Sequence, residues 1–220
     1  RESIQQGLIG NVGQIFFRYL RNRENPNYPP YIFEEAFPLL YAMGIHHFDL
    51  LRFVLQDEFV SVVGQSFRPE WSMYKSDTGL NLFLETRKGV IVNYTGTISA
   101  QCMSFPQEFL LIEGDKGSLF NESDWSEPPL WHTVKGSRDK EDLLADVKAV
   151  SMAEQYDISD EYILENFLQA VNGQADPLCS AQDAFQSLLV LEAARKACET
   201  GKKVYLDELQ VSERVKTSVG

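Results

Sequence analysis

Two adjacent histidines and an aspartate, His46, His47 and Asp49, interrupt the otherwise apolar run LYAMGIHHFDLLRFVL. Imidazole has an unperturbed pKa of about 6.5 and can exchange a proton near neutral pH. If the run is helical, Asp49 lies on the same side as His46 and can orient the imidazole or bind a substrate hydroxyl. Three interpretations are open at this point: a catalytic pair, a metal site, or polar residues on a packed helix.

A metal site is the least favoured of these interpretations. Successive residues of a helix point about 100° apart, so His46 and His47 cannot easily share one ion. The third histidine of the chain, His132, lies in LWHTV, a segment typical of a β-strand. We therefore expect no metal ligand in this chain. In the structural interpretation the backbone satisfies His46, and Asp49 caps the helix or pairs with Arg52.

The elements around this run are predicted from hydrophobic periodicity. From Gly44 to Gln56 apolar residues recur every three or four positions, which is typical of an amphipathic helix. Its apolar face consists of Phe48, Leu51, Val54 and Leu55. His46, Asp49 and Phe53 fall on another face. Residues 22–33 contain three prolines and no helical period, so we expect a loop there.

Alternating apolar and polar residues predict a run of strands in the middle of the chain. The predicted strands cover 12–21, 59–67, two within 79–99, two within 108–123, and 130–134. Tight turns at Arg87-Lys88-Gly89 and Asp115-Lys116-Gly117 join the members of the two hairpins. Short connections indicate antiparallel pairing, because parallel strands need long crossovers.

The last third of the chain returns to helices. Ser159 precedes a helix predicted over 160–172, and Ser180 is the N-cap of a second helix that ends near Gly201. The predicted apolar stripe of this second helix consists of Ala184, Leu188, Leu191 and Ala194. A final strand is predicted at 203–206. The fold class is therefore α+β, a large antiparallel sheet with helices on one face.

The bulk properties of the chain limit its function. We expect one domain over residues 1–209, followed by a mobile tail over 210–220 that has no apolar period. The net charge of −12 repels a phosphate backbone, which argues against nucleic acid as a partner. No apolar run approaches the ~20 residues that span a bilayer. The three cysteines are far apart and include no CxxC pair, which favours reduced thiols in a cytoplasm.

The segment GLIGNVG at residues 7–13 contains three glycines but does not match the dinucleotide-binding fingerprint. That fingerprint is G-x-G-x-x-G between a buried strand and a helix. Here the spacing is G-x-x-G-x-x-G, and a strand pattern follows. We expect a turn that leads into the strand at 12–21, and no cofactor site.

Three ordered motifs resemble the C-terminal domain of the glucose-fructose oxidoreductase and inositol dehydrogenase family (Gfo/Idh/MocA). They are MGIHHFDLLRFVL at 43–55, similar to the family's G-x-H-x-x-D helix start, IEGDKGSLF at 112–120, and DPLCSAQDAFQSLLVLEAARKACETGKKVYL at 176–206. In order and spacing the resemblance covers residues 4–206. It implies an NAD(P)-dependent oxidoreductase that acts on a sugar, a polyol or a related hydroxyl compound.

By this resemblance, His46 occupies the position of the histidine that exchanges a proton with the substrate hydroxyl, and Asp49 orients it or binds substrate. NAD or NADP and a catalytic lysine belong to the family's N-terminal Rossmann domain, whose G-x-G-x-x-G and E-K-P motifs this chain lacks. The chain alone is then expected to be inactive. The resemblance also implies a homodimer or homotetramer formed through the open sheet face, with Phe83, Ile91 and Phe109 as candidate contacts.

One departure from the family favours a rival interpretation. Family members often carry an aspartate one helical turn before the histidine, where this chain has Ala42. The upstream glycine run of the family is replaced by Ala36-Phe37-Pro38. The alternative function is therefore a catalytically inactive binding or scaffold module of the same fold. Tyr28, Tyr31 and Phe33 in the proline-rich loop either form an aromatic wall for a sugar-like substrate or pin the loop to the core.

Overall fold

The structure is a computed structural model that describes residues 1–102, 107–121, 129–147 and 152–209. Its strands are β1 (Val12–Leu20), β2 (Phe59–Phe67), β3 (Gly79–Thr86), β4 (Ile91–Thr97), β5 (Glu108–Gly114), β6 (Gly117–Asn121), β7 (Trp131–Val134), β8 (Glu141–Asp142) and β9 (Val204–Tyr205). Its main α-helices are α1 (Glu2–Gln5), α2 (Ile45–Leu55), α3 (Met152–Val171) and α4 (Ala181–Thr200). The predicted α+β class is confirmed.

The strands form one open sheet in the order β8-β7-β6-β5-β1-β4-β3-β2-β9. Neighbouring strands joined by short connections pair antiparallel, as predicted. β1 lies between β5, to which it is antiparallel, and β4, to which it is parallel, with Phe17 opposite Tyr94. The chain between β1 and β4 includes α2 and two strands, which provides the long crossover that a parallel pair requires.

The two faces of the sheet differ in burial. Alternation along β3 buries Leu80, Leu82 and Leu84 on the inner face and leaves Phe83 45% exposed on the outer face. The other strands bury a matching set of inner-face residues: Ile15, Phe17, Tyr19, Val62, Val92, Tyr94 and Ile112. These residues form one core with the buried sides of α2 and α4. The helices therefore cover the inner face.

α2 turns the predicted apolar side toward this core. Phe48 and Leu51 are fully buried, Leu55 is 8% exposed and Val54 is half-buried. The helix ends at Gln56, which adopts a left-handed backbone with a φ of 49°. Within the described part of the chain, no helix is long and apolar enough to cross a membrane.

α4 confirms the predicted caps and corrects the predicted stripe. The backbone N–H of Asp183 donates a hydrogen bond to the Ser180 hydroxyl, and Gly201 ends the helix with a φ of 66°. Ala184 and Leu188 are exposed, so their predicted burial is wrong. The buried residues are Ser187, Leu189, Val190, Leu191, Ala193, Ala194 and Ala197. The first turns of α4 meet α2 through polar contacts, and the buried apolar face develops only further along the helix.

Three other boundaries differ from prediction. α3 begins at Met152, so Ser159 lies inside it, because the residues before that serine are also good helix formers. The proline-rich segment contains a short 3₁₀ helix, Pro30–Glu34, which starts at a proline whose missing N–H costs nothing there. The last strand, predicted at 203–206, is shorter in the structure: β9 has two residues, which pair with β2. The predicted tail, 210–220, lies outside the described residues.

Candidate functional site

The two histidines at the start of α2 have opposite environments. His46 is exposed, as are Asp49 and Phe53 on the same side of the helix, whereas His47 is completely buried. The turn of about 100° between successive helical residues directs one imidazole to solvent and the next into the core. His46 is therefore the histidine of α2 that a small molecule can reach.

His47 anchors the N-terminal end of α2 to the sheet. The hydroxyl of Tyr94 on β4 lies 2.8 Å from Nδ1 of the imidazole and forms a hydrogen bond with it. The rings of Phe17 and Tyr19 on β1 pack against the imidazole at centroid distances of 4.8 and 4.7 Å. Burial, and to a smaller extent the neighbouring His46, lowers the pKa of His47 to about 3. At neutral pH this buried histidine is therefore neutral.

Asp49 belongs to an ion-pair network that joins α2 to α4. Its Oδ1 accepts a hydrogen bond of 2.7 Å from the Ser187 hydroxyl and lies 3.5 Å from Nη1 of Arg52. Arg52, only 5% exposed, also donates to Glu58 and to Asp183. The hydrogen bond to Glu58 is the main reason that the pKa of Arg52 is raised.

This network bears on the predicted partnership between Asp49 and His46. The pairing of Asp49 with Arg52, the alternative that the sequence offers, is present. Among the hydrogen bonds of the described residues, none joins Asp49 to His46. The Asp49 side chain nevertheless keeps 55% of its surface exposed, on the same side of α2 as His46.

One turn of π-helix, Leu40–Gly44, leads directly into α2 and contains the exposed Ala42. Such turns are rare and often occur at functional sites. Shortly before it, Phe37 has a left-handed backbone with a φ of 49°, which is uncommon for a residue with a β-carbon. Glycine adopts this backbone conformation easily, whereas a residue with a β-carbon is strained in it.

The proline-rich loop presents two of its three aromatic residues to solvent. Tyr28 and Tyr31 are 41% and 68% exposed. Phe33 is buried, with its ring edge-on to the ring of Tyr74 at 5.1 Å. Phe33 therefore pins the loop to the core, and only the two tyrosines have rings that a ligand could contact.

Glu24, at the start of this loop, connects the loop by hydrogen bonds to the segment before β3. Its carboxylate accepts hydrogen bonds from the hydroxyls of Ser72 and Ser99 and from the backbone N–H of Met73. Sequence reasoning missed this cluster, because its members are far apart along the chain and polar residues in loops have no period. These hydrogen bonds fix the position of the loop that carries Tyr28 and Tyr31.

The glycine segment before β1 packs against the turn between β5 and β6. Gly7 and Gly10 have positive φ angles, and a β-carbon on Gly10 would lie 1.8 Å from Oδ1 of Asp115. Asn11 donates to both carboxylate oxygens of that aspartate, from its backbone and from its side chain. The glycines thus permit close contact with the β5–β6 turn, which Asn11 and Asp115 hold in place. The described residues contain no group of three or more His, Cys, Asp or Glu that could hold a metal ion.

Comparison with known proteins supports the resemblance seen in the motifs. The model of the oxidoreductase family, C-terminal alpha/beta domain (GFO_IDH_MocA_C), matches residues 1–206. The protein y4oX of Sinorhizobium fredii is 22% identical over 223 residues, which cover all of this chain and 61% of that protein.

Solved structures share the fold at low sequence identity. An oxidoreductase from Agrobacterium radiobacter, in complex with NAD+, L-tartaric acid and magnesium, has a TM-score of 0.73 and 17% identity, covering 94% of this chain and 60% of its own. The aldose-aldose oxidoreductase from Caulobacter crescentus, complexed with glycerol, has a TM-score of 0.71 and 15% identity, over 93% and 58%. The chain thus spans 58–61% of the length of these relatives. Since the family match covers nearly the whole sequence, the chain belongs to the Gfo/Idh/MocA oxidoreductase family and corresponds to its C-terminal α/β domain.

Proposed function

We propose that this chain is the substrate-binding and oligomerisation domain of an NAD(P)-dependent oxidoreductase that acts on a sugar, a polyol or a related hydroxyl compound. The family match supports the oxidoreductase class. The observation that carries the proposal is the exposed His46 on a helix whose next residue, His47, is buried and hydrogen-bonded to the sheet. A reachable acid/base group on a rigid element is what proton transfer requires.

His46 acts in this proposal as the general acid/base. Oxidation of an alcohol to a carbonyl removes a proton from the hydroxyl and a hydride from the carbon. The proton passes to an imidazole nitrogen of His46 and returns in the reverse reaction. NAD or NADP, when bound, supplies the hydride transfer. We assign its binding and the catalytic lysine to a separate Rossmann domain, since this chain lacks the family's G-x-G-x-x-G and E-K-P motifs. We expect this chain alone to be inactive.

Asp49, Tyr28 and Tyr31 are proposed to contact the substrate. The ion-pair network holds Asp49 through Oδ1, while more than half of the side chain faces solvent on the His46 side of α2. A carboxylate in this position can accept a hydrogen bond from a substrate hydroxyl. The tyrosine rings combine an apolar face with a hydroxyl, which suits a polyol or a sugar ring.

The outer face of the sheet is proposed to form a homodimer or homotetramer. One cross-strand row runs directly across seven strands and consists of Val63, Phe83, Asn93, Phe16, Leu111, Phe120 and Trp131. All but Asn93 are apolar, and apolar residues on the open face of a sheet are typical of an interface. Ile91 and Phe109 belong to the neighbouring rows. We expect Phe83→Glu to lower the oligomer mass in light scattering, and Leu188→Glu, similarly exposed on α4, to leave it unchanged.

A cytoplasmic location is also part of the proposal. Cys102, Cys179 and Cys198 are far apart in the sequence and include no CxxC pair, a pattern typical of reduced thiols. Burial raises the pKa of Cys198 to about 11, which keeps it protonated and unreactive in the folded chain. We expect three titratable thiols when the protein is purified without reductant and then denatured.

Ala42 favours a second candidate, an inactive binding or scaffold module of the same fold. The family's aspartate at this position lies one turn from the histidine, and its absence removes a carboxylate from the site. Substrate and cofactor assays on the intact protein separate the two candidates. Binding of NADH or NADPH followed by turnover supports the enzyme, and binding of neither supports the scaffold.

The decisive variant is His46→Ala in the intact protein. We expect turnover to be lost while the far-ultraviolet circular dichroism and the thermal midpoint stay the same, because the side chain is exposed. Phe53→Ala is the matched control, since it lies on the same exposed side near the other end of α2. Unchanged turnover in His46→Ala would contradict the acid/base role.

A further inference from the structure

An apolar cavity lies beside α2, one helical turn from His46. Its volume is about 240 Å³, and it is located between α2 and the part of the sheet formed by β5, β6 and the start of β7. Its apolar lining includes Phe17, Leu50, Leu110, Pro129, Leu130 and Leu144. Among the described residues that line the cavity, only Asn121 is polar. The cavity therefore suits a hydrocarbon group better than a group that carries hydroxyls.

Hydrogen bonds and ring contacts fix the walls of this cavity. Oδ1 of Asp142 accepts hydrogen bonds from the backbone N–H groups of Leu130 at 3.1 Å and Leu144 at 3.0 Å. On the side of α2, the ring of Phe17 packs against the imidazole of His47 at a centroid distance of 4.8 Å. Because these contacts belong to the folded chain, the cavity is formed before any ligand binds.

The geometry of α2 places the cavity and Asp49 on opposite sides of His46. At about 100° per residue, the side chain of Leu50 points about 40° to one side of His46, and that of Asp49 about 60° to the other. Leu50 follows His46 by four residues, which is about 6 Å along the helix axis. A small molecule bound at His46 can therefore meet a carboxylate on one side and the apolar cavity on the other.

We propose that this cavity is a specificity subsite that takes a hydrocarbon substituent of the substrate, an alkyl chain or a phenyl ring. The inference rests on the proposed function and narrows its substrate class to a vicinal diol that carries such a substituent. The reacting hydroxyl contacts His46, the neighbouring hydroxyl donates to Asp49, and the substituent enters the cavity. An apolar cavity of about 150 Å³ binds benzene, so one of about 240 Å³ accommodates a phenyl ring. A sugar ring in the same place would leave its hydroxyls without hydrogen bonds.

Binding of a series of vicinal diols to the intact protein tests the subsite. The probes are ethylene glycol and its methyl, ethyl, butyl and phenyl derivatives, and their dissociation constants are measured by calorimetry or ligand-observed NMR. We expect each added methylene to tighten binding about three- to fourfold, because it leaves water for an apolar site. The phenyl derivative should bind at least as tightly as the ethyl derivative.

Substitutions at Leu144 link this gain to the cavity. Leu144→Phe narrows the cavity and should reduce the preference for the butyl over the methyl derivative about tenfold. Leu144→Asn adds no bulk but places an amide in the lining, and should reduce the preference in the same direction. Leu188→Phe is the matched control, because Leu188 is 49% exposed on α4, and it should keep the wild-type preference.

Three results would overturn the inference. One is equal affinity across the series, and a second is absence of binding by every member of it. A third is a dependence on chain length that both Leu144 variants retain, which would place the hydrocarbon group elsewhere on the protein. Turnover of the same diols with NAD and NADP tests the proposed function separately. Binding that depends on the substituent, without turnover by either cofactor, would refute the nicotinamide chemistry and leave the subsite standing.

Discussion

The buried imidazole of His47 should make the stability of the fold depend on pH between 7 and 5. Its pKa is about 3 in the folded chain and takes the ordinary value of 6.5 in the unfolded chain. The unfolded chain therefore binds the proton more readily, and the free energy of unfolding falls as the pH drops through 6.5 and on toward 3. One pKa unit corresponds to about 1.4 kcal/mol. Lowering the pH from 7 to 5 should thus cost about 2 kcal/mol.

Urea unfolding at pH 7, 6 and 5 measures this dependence. The wild type should lose about 2 kcal/mol across the range. His47→Asn keeps a polar group that can pair with the Tyr94 hydroxyl but removes the titrating group, so its curve should lack this loss. His46→Ala is the control, because it removes the adjacent, exposed imidazole and should follow the wild type. Glu85 and Asp115, carboxyls of lowered pKa, lose their contribution only as the pH falls below 4.5 and 3.8.

A His47→Asn variant with the full wild-type slope would refute this reasoning, since the buried imidazole would then not be the source. A slope abolished by His46→Ala would refute it as well, because the titration would belong to the exposed histidine. Absolute stability at pH 7 is not the test. His47→Asn also removes ring contacts with Phe17 and Tyr19, and it should be less stable than the wild type at every pH.

Three further substitutions test the packing by urea or thermal unfolding. Arg52→Met removes a buried cation whose carboxylate partners are 34–55% exposed and can be hydrated after its loss, so it should cost about 1–3 kcal/mol. Arg195→Met, in a partly exposed pair on α4, should cost less than about 1 kcal/mol. Gly64→Ala puts a β-carbon 2.3 Å from a backbone oxygen of β3 and should lower the free energy of unfolding by about 1–3 kcal/mol. Its control is Gly13→Ala, whose β-carbon would have no atom within 4 Å and should change the free energy of unfolding by about 0.5 kcal/mol or less. Equal losses in the two glycine variants would contradict the packing argument. Ser180→Ala removes the N-cap of α4 and should lower the free energy of unfolding by about 1 kcal/mol, and an unchanged thermal midpoint would show that the cap contributes nothing.

The sequence predicts the parts of the fold that depend on neighbouring residues. The two sides of α2 follow from a period of 3.6 residues, so the burial of Phe48 and the position of His46 on a different face are both predicted correctly. The hairpins follow from alternation and from glycine-containing turns. The caps of α4 follow from Ser180 and Gly201, because cap preferences are local.

Features set by contacts between distant segments are not predicted. The parallel pairing of β1 with β4 depends on residues far apart in sequence, and nothing in the strand patterns distinguishes it from antiparallel pairing. Ser187 is buried in α4 because Arg52 of α2 faces it, which breaks the apolar stripe expected from periodicity. The cluster around Glu24 and the pairing of Asp49 with Ser187 also arise only when loops and helices meet. The face of α2 that carries His46 can thus be predicted from the sequence, whereas the contacts that fix the neighbouring side chains cannot.

The central position of β1 has a consequence for the synthesis of the chain. Translation produces β1 well before its partners β4 and β5, and at about 5–20 residues per second the delay is roughly 5–20 s. During this time a strand with Phe16 on one face and Phe17 and Tyr19 on the other has two unpaired edges. We expect the nascent domain to rely on chaperones over this interval, and its first strand to be the segment that they hold.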